Sequence, residues 1–120
     1  MGLDQYAHIR IKLWNPRQYN YEWRKHACLQ EFMEQVWSRG GNTKIFNCQD
    51  LVLNKNDIEN LEYQIKNGYP DCESSGGFFF GHQFQEEAVD EYKQQDLDFV
   101  NRAKEALNKP GSTVTYTCWW

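Results

Sequence analysis

The segment at residues 76–82, with the sequence GGFFFGH, places three aromatic side chains between glycines. Glycine lets a backbone approach a ligand closely, and exposed backbone amides can hold an anion. The segment therefore indicates either a loop that lines a pocket or a core strand with a turn at each end. In the pocket interpretation the ligand contacts come from Gly77, Phe79, Gly81 and His82, with Phe79 stacking on the ligand. The segment matches no phosphate-loop fingerprint.

A second cluster, at residues 21–26 with the sequence YEWRKH, combines cationic and aromatic side chains. The hydrophobic pattern predicts that a helix begins here, and a helix N-terminus attracts anions. Arg24 and Lys25 are suited to holding a phosphate or carboxylate, and Trp23 to stacking on a base. The cluster predicts a site for a small anionic, nucleotide-like ligand, formed together with residues 77–82. The alternative is a solvated helix face with Trp23 anchored in the core.

Acidic side chains crowd a later stretch, where Glu86 with Asp90 and Glu87 with Glu91 form pairs four residues apart. On a helix each pair shares one face, and carboxylate oxygens bind hard cations such as magnesium or calcium. Like charges at this spacing cost only a few tenths of a kcal/mol, which Lys93 and the solvent can offset. We therefore predict a solvated face here, with no metal site and no cofactor.

The three histidines, His8, His26 and His82, are dispersed along the chain. No metalloprotease motif or nucleophile elbow accompanies them. We predict no catalytic residues. A small hydrolase or transferase that uses His8 or His82 with a carboxylate such as Asp4 remains the alternative.

Two tryptophans, Trp119 and Trp120, end the sequence. Alternation along a strand sends them to opposite faces, so one closes the core while the other is available as an interface anchor. Energetically dominant interface residues are often Trp or Arg. An exposed last strand would also let two copies pair edge to edge, so a monomer and a two-fold homodimer both remain open.

The length, net charge and N-terminal sequence limit the classes of protein that the chain can represent. The chain has 120 residues, which predicts a single domain over residues 1–120. A formal net charge of -4 argues against a nucleic-acid partner, and no apolar run approaches the ~20 residues of a membrane span. The start lacks the basic and apolar parts of a signal peptide, so we expect a cytoplasmic protein whose four widely spaced cysteines are reduced.

Hydrophobic periodicity predicts alternating strands and helices. In chain order the predicted elements are a strand at Gln5–Trp14, a helix at Tyr21–Arg39, a strand at Ile45–Leu53, a helix capped by Asn56 with Glu59 that ends at Asn67 and Gly68, a strand at Phe78–Phe80, a helix at Glu86–Lys109 interrupted by the polar Gln94–Asp96, and a strand at Ser112–Trp120. The order β-α-β-α-β-α-β indicates one α+β domain. Its sheet would have about four strands, mixed or antiparallel, with helices mainly on one face.

Five short segments form a combined pattern: GLDQY at residues 2–6, WRK at 23–25, GFFFG at 77–81, the Asp-Leu pair at 96–97 and the aromatic end at 119–120. This combination resembles a family of small uncharacterised proteins from tailed bacteriophages, including phages of cyanobacteria, and from bacterial genomes. The resemblance implies a phage accessory protein in the cytoplasm of a host bacterium. It implies action by binding, to a host protein or to a small anionic ligand, and it assigns no site residues.

Overall fold

The computed structural model describes residues 3–12, 17–42, 44–70, 72 and 85–119, with only the backbone for residues 85–91. Its strands form one antiparallel sheet in the order β2-β1-β4-β3. This confirms the α+β class, the four-stranded sheet and the placement of the helices on one side. In chain order the described elements are β1 (Asp4–Ile11), β2 (Arg17–Arg24), α1 (Ala27–Arg39), β3 (Leu51–Val52), α2 (Lys55–Lys66), α3 (Gln85–Leu107) and β4 (Thr113–Trp119).

Alternation along the strands explains why the helices cover one face. In β1 the side chains of Ala7 and Ile9 are fully buried, while those of Tyr6 and His8 are half-buried on the opposite side. The pairing registers carry this alternation across the sheet, so that Ala7 lies beside Tyr116 of β4. We call the side away from the helices the outer face. It carries Asp4, Tyr6, His8 and Arg10 of β1, Gln18, Asn20, Glu22 and Arg24 of β2, Val52 of β3, and Thr113, Thr115, Thr117 and Trp119 of β4.

The predicted start of the first helix is wrong. Helix α1 begins at Ala27, and Tyr21 to Arg24 belong to β2, which pairs with β1 over its whole length. Tyr19, Tyr21 and Trp23 alternate with polar residues, which is a strand pattern built from strong β-formers. Lys25 adopts a left-handed conformation with φ of 59°, and His26 then caps α1 by accepting a hydrogen bond from the backbone N–H of Leu29.

The middle of the chain keeps its predicted elements with different boundaries. The predicted strand at Ile45–Leu53 is regular only at Leu51–Val52, although Leu53 also donates a backbone hydrogen bond to Val114 of β4. Helix α2 is capped by Asn54, which exchanges reciprocal hydrogen bonds with Asp57, rather than by Asn56 with Glu59. The same capping spacing therefore operates two residues earlier in the chain.

The second half of the chain contains the long helix α3 and the last strand, β4. Helix α3 runs without a break through the polar stretch at Gln94–Asp96. Strand β4 lies inside the sheet between β1 and β3, and β3 pairs with it at Leu51–Tyr116 and Val52–Thr115. The predicted strand at Phe78–Phe80 lies outside the described residues.

The cysteines differ from the sequence expectation. Cys28 and Cys72 form a disulfide with their Cα atoms 5.4 Å apart, while Cys48 and Cys118 lie outside this disulfide. The fold brings the first turn of α1 against the turn that follows α2, which places two distant cysteines within bonding range. Among the described residues no helix is long and apolar enough to cross a membrane.

Candidate functional site

Three residues lie side by side across one end of the outer face. Asp4 of β1 is paired with Trp119 of β4 on one side and with Arg24 of β2 on the other. Arg24 Nε donates to Asp4 Oδ1 at 3.1 Å. The Trp119 side chain is 63% exposed, although it belongs to a regular strand. We call these three residues the Trp119 row; it spans about 10 Å, the width of two strand spacings.

Tyr6 extends this surface towards the centre of the outer face. It lies between Glu22 of β2 and Thr117 of β4. The Thr117 hydroxyl donates to the backbone carbonyl of Gln49 at 2.8 Å, which holds the segment just before β3 against β4. Together with the Trp119 row, Tyr6 forms a mixed aromatic and charged surface on a rigid sheet.

The middle of the outer face is polar and internally bonded. His8 Nδ1 lies 2.7 Å from the amide oxygen of Asn20, and Gln18 Nε2 donates to the same oxygen at 2.8 Å. His8 is thus bonded to an amide, and Asp4 is ion-paired with Arg24. The structure therefore does not bring His8 and Asp4 together as a catalytic pair, and His82 lies outside the described residues.

A histidine and a carboxylate do meet, but inside the core. His26 Nε2 lies 2.8 Å from Asp96 Oδ2, with side-chain exposures of 0% and 1%. Trp23 Nε1 donates to Asp96 Oδ1 at 2.6 Å, and the Tyr69 hydroxyl donates to Asp96 Oδ2 at 2.9 Å. Because His26 Nδ1 accepts from the backbone N–H of Leu29, the proton lies on Nε2, which donates to Asp96.

The polar network continues from this pair towards β4. The side-chain amide of Gln5 donates to the carbonyl oxygen of His26 at 3.0 Å and to the Tyr116 hydroxyl at 2.9 Å. The Tyr116 hydroxyl in turn donates to Gln30 Oε1 at 2.6 Å. Burial raises the pKa values of Tyr69 and Tyr116 well above their ordinary range, so both remain neutral hydrogen-bond donors.

We call this set, Gln5, Trp23, His26, Gln30, Tyr69, Asp96 and Tyr116, the buried polar cluster. It joins the β2–α1 junction to β1, α3 and β4, and each buried polar group in it has a protein partner. Such a satisfied network specifies how the elements pack. Apart from Tyr69, which also lines the groove on the helical side, its side chains contact one another rather than an open pocket, so we assign the cluster a structural role.

The structure separates the residues of the predicted anion site. Trp23 is 1% exposed and faces the core, whereas Arg24, the next residue of the same strand, lies on the outer face. Successive strand residues point to opposite sides, so Trp23 and Arg24 do not line one pocket. Lys25 occupies the bend between β2 and α1. Gly77, Phe79, Gly81, His82 and Trp120 lie outside the described residues, while Trp119 is exposed at the end of β4.

A groove opens on the helical side of the molecule. It has a volume of about 300 Å³, and its walls include Phe32 of α1, Tyr63 of α2 and both cysteines of the disulfide. No sequence pattern predicts this groove, because its residues come from separate helices with ordinary amphipathic patterns. In the part of the chain that the structure describes, no group of three or more His, Cys, Asp and Glu side chains could hold a metal ion. The side chains of the predicted acidic pairs at 86–91 are not among those described.

Comparison with protein-family models, with curated proteins and with solved structures finds no match to this chain.

Proposed function

We propose that the chain is a non-catalytic binding protein that docks another protein on the outer face of its sheet, with Trp119 as the anchor. One observation carries the proposal: a tryptophan that is 63% exposed stands beside the Arg24–Asp4 ion pair on a rigid strand. Tryptophan and arginine are enriched among the residues that dominate interface energies. A rigid sheet also presents them with little ordering cost on binding.

The shape of the surface favours a protein over a small molecule. Small ligands are usually held in concave pockets, whereas the outer face is an open antiparallel sheet. Trp23, which the nucleotide-binding hypothesis requires for stacking, is enclosed and donates its indole N–H to Asp96. A small anionic ligand at Trp23, Arg24 and Lys25 therefore receives no support from the described geometry.

The size of the surface favours a reversible complex. Three strands of seven or eight residues and a fourth of two residues, spaced about 4.8 Å apart, give a flat area of roughly 400 Å². A standard stable interface buries about 800 Å² on each partner. The outer face alone therefore suits a transient contact, or one part of a larger interface.

The enzyme alternative lacks a site among the described histidines. His26 has a carboxylate partner but is enclosed, and His8 is accessible but bonded to an amide. A catalytic base must reach a substrate proton within about 3 Å. Neither histidine combines access with an acidic partner.

The biological setting is a proposal that rests on the resemblance to phage proteins. Three of the shared segments contact one another: Asp4 of GLDQY pairs with Arg24 of WRK, and Trp23 of WRK donates to Asp96 of the Asp-Leu pair. These contacts give the combined pattern a structural reason. The proposed setting is the cytoplasm of a host bacterium, with a host protein as partner.

Affinity purification from bacterial lysate tests the function with two matched variants. Trp119→Ala removes the anchor, while Ile45→Ala truncates a residue that is 72% exposed in a loop outside the sheet. We expect the wild type and Ile45→Ala to retain the same partner protein. The amount retained by Trp119→Ala should be at least about tenfold lower. The melting temperatures of all three should agree. Equal retention by Trp119→Ala, or a bound nucleotide-sized mass in native mass spectrometry, contradicts the proposal.

A further inference from the structure

The disulfide between Cys28 and Cys72 joins two elements on the helical side of the molecule. Cys28 lies in the first turn of α1, and Cys72 lies in the turn that follows α2. We propose that this disulfide is a thiol–disulfide exchange site, opened by a dithiol reductant that attacks the sulfur of Cys72. The inference does not depend on the proposed function of the outer face, because the disulfide lies on the other side of the sheet.

The two sulfurs differ in their surroundings. Cys28 is 4% exposed, whereas Cys72 is half-buried. Both cysteines line the groove of about 300 Å³ between α1 and α2. Exchange rates depend on which sulfur an attacking thiolate can reach. Because both cysteines line the groove, the greater exposure of Cys72 is what favours attack at its sulfur.

The position of Cys28 favours its role as the leaving group. It is the second residue of α1, a helix of 13 residues that begins at Ala27. The positive end of a helix dipole stabilises a thiolate placed in the first turn. A better-stabilised thiolate leaves faster in disulfide exchange.

The reaction balances with one dithiol molecule. Its first thiolate forms a bond with the Cys72 sulfur, and the bond to Cys28 breaks with its electron pair remaining on the Cys28 sulfur. The second thiol of the reductant then displaces the Cys72 sulfur. The reductant becomes a cyclic disulfide, and its two protons pass to Cys28 and Cys72.

Reduction would release the turn that carries Tyr69. Cys72 donates its backbone N–H to the carbonyl oxygen of Tyr69 at 3.1 Å, and the Tyr69 hydroxyl reaches Asp96 and His26. Tyr69 has a left-handed φ of 55°, which is unfavourable for a tyrosine. The disulfide holds this turn against α1, so the exchange site controls the end of the groove and one contact of the buried polar cluster.

The test compares reduction rates in the native and unfolded protein. Oxidised Cys48→Ser protein, which lacks the exposed free thiol, is treated with dithiothreitol and the new thiols are counted by alkylation and mass spectrometry. We expect the native rate to lie within about tenfold of the rate in guanidinium chloride. A native rate about 100-fold or more slower would mean that reduction requires unfolding, and it would overturn the proposal.

A second measurement identifies the attacked sulfur. The same protein is exposed briefly to glutathione, quenched with an alkylating reagent and mapped by peptide mass spectrometry. The proposal expects glutathione on Cys72 and the alkyl group on Cys28. Glutathione found mainly on Cys28 overturns it, as does failure of the two cysteines to form a disulfide under oxidising conditions.

Discussion

Trp23 Nε1 donates a hydrogen bond of 2.6 Å to Asp96 Oδ1, across 73 residues of sequence. The bond ties the end of β2 to the middle of α3 inside the core. It also explains why a tryptophan beside two cations is unavailable to a ligand. The Asp96 carboxylate accepts from three side chains, so it organises the buried polar cluster.

Replacing Asp96 should therefore be costly. Asp96→Asn keeps the size of the side chain but replaces one carboxylate oxygen, which accepts either from Trp23 or from both His26 and Tyr69, with an NH₂ group. A buried group left without its proper partner costs about 1–3 kcal/mol, and more when a charge is involved. We expect a loss of about 3 kcal/mol in the free energy of unfolding, measured by urea denaturation.

Asp98→Asn is the matched control on the same helix. Asp98 is exposed and accepts from the Tyr21 hydroxyl at 2.6 Å. Its replacement should cost less than about 1 kcal/mol, because solvent can take over the lost hydrogen bond. Equal losses for the two variants would contradict the structural role of the buried polar cluster.

The stability contributed by the contact between α2 and α3 should depend on pH. Hydrogen bonds from Lys104, at 3.0 and 3.1 Å, lower the pKa of Glu62. A carboxyl group with a lowered folded-state pKa contributes stability above its unfolded pKa, and this is lost as the pH falls through the folded value. Glu62→Gln should therefore cost up to about 1 kcal/mol at pH 7 and almost nothing in acid.

For Glu34→Gln we expect an effect on stability opposite to that of Glu62→Gln. Burial raises the pKa of Glu34, so its folded state favours the protonated form and loses stability as the pH rises through that raised value. The glutamine variant should be at least as stable as the wild type at pH 7. Unfolding curves at several pH values check both signs, and a Glu62→Gln cost that persists in acid would refute the linkage.

The start of α2 allows a direct comparison of two asparagines. Asn54 Oδ1 accepts from the backbone N–H of Asp57 at 2.8 Å, so Asn54→Ala should cost about 1 kcal/mol. Asn56 is exposed inside the first turn, where alanine is the better helix former. Asn56→Ala should be neutral or slightly stabilising in thermal unfolding. If Asn56→Ala destabilised the protein more than Asn54→Ala, Asn56 would be the helix cap, as the sequence pattern predicts.

Local patterns predicted much of the fold because they act over a few residues. Alternation located β1 and β4, and apolar spacing located the three helices. The same apolar spacing predicts that Tyr21 belongs to the first helix, because the pattern continues from α1 towards the N-terminus across the bend at Lys25. The alternation of Tyr19, Tyr21 and Trp23 was the signal for β2, and it was present in the sequence.

The candidate site was harder to predict because it depends on strand order. The exposed Trp119 follows from alternation at the end of β4. Its position beside Asp4 and Arg24 requires knowing that β1 lies between β2 and β4, which no local pattern specifies. The His26–Asp96 pair spans 70 residues, and the polar sequence around Asp96 predicts an interruption of the helix rather than a buried acceptor.

Site-specific photo-crosslinking in bacterial cells can show whether a partner docks on the outer face. A photoreactive benzophenone amino acid is placed either at Val52, 67% exposed on the outer face, or at Tyr63, 59% exposed on the helical side. We expect a crosslinked protein from position 52 and not from position 63, and loss of that crosslink when Trp119→Ala is added. A crosslink from position 63 alone, or one from position 52 that survives Trp119→Ala, would contradict docking on the outer face.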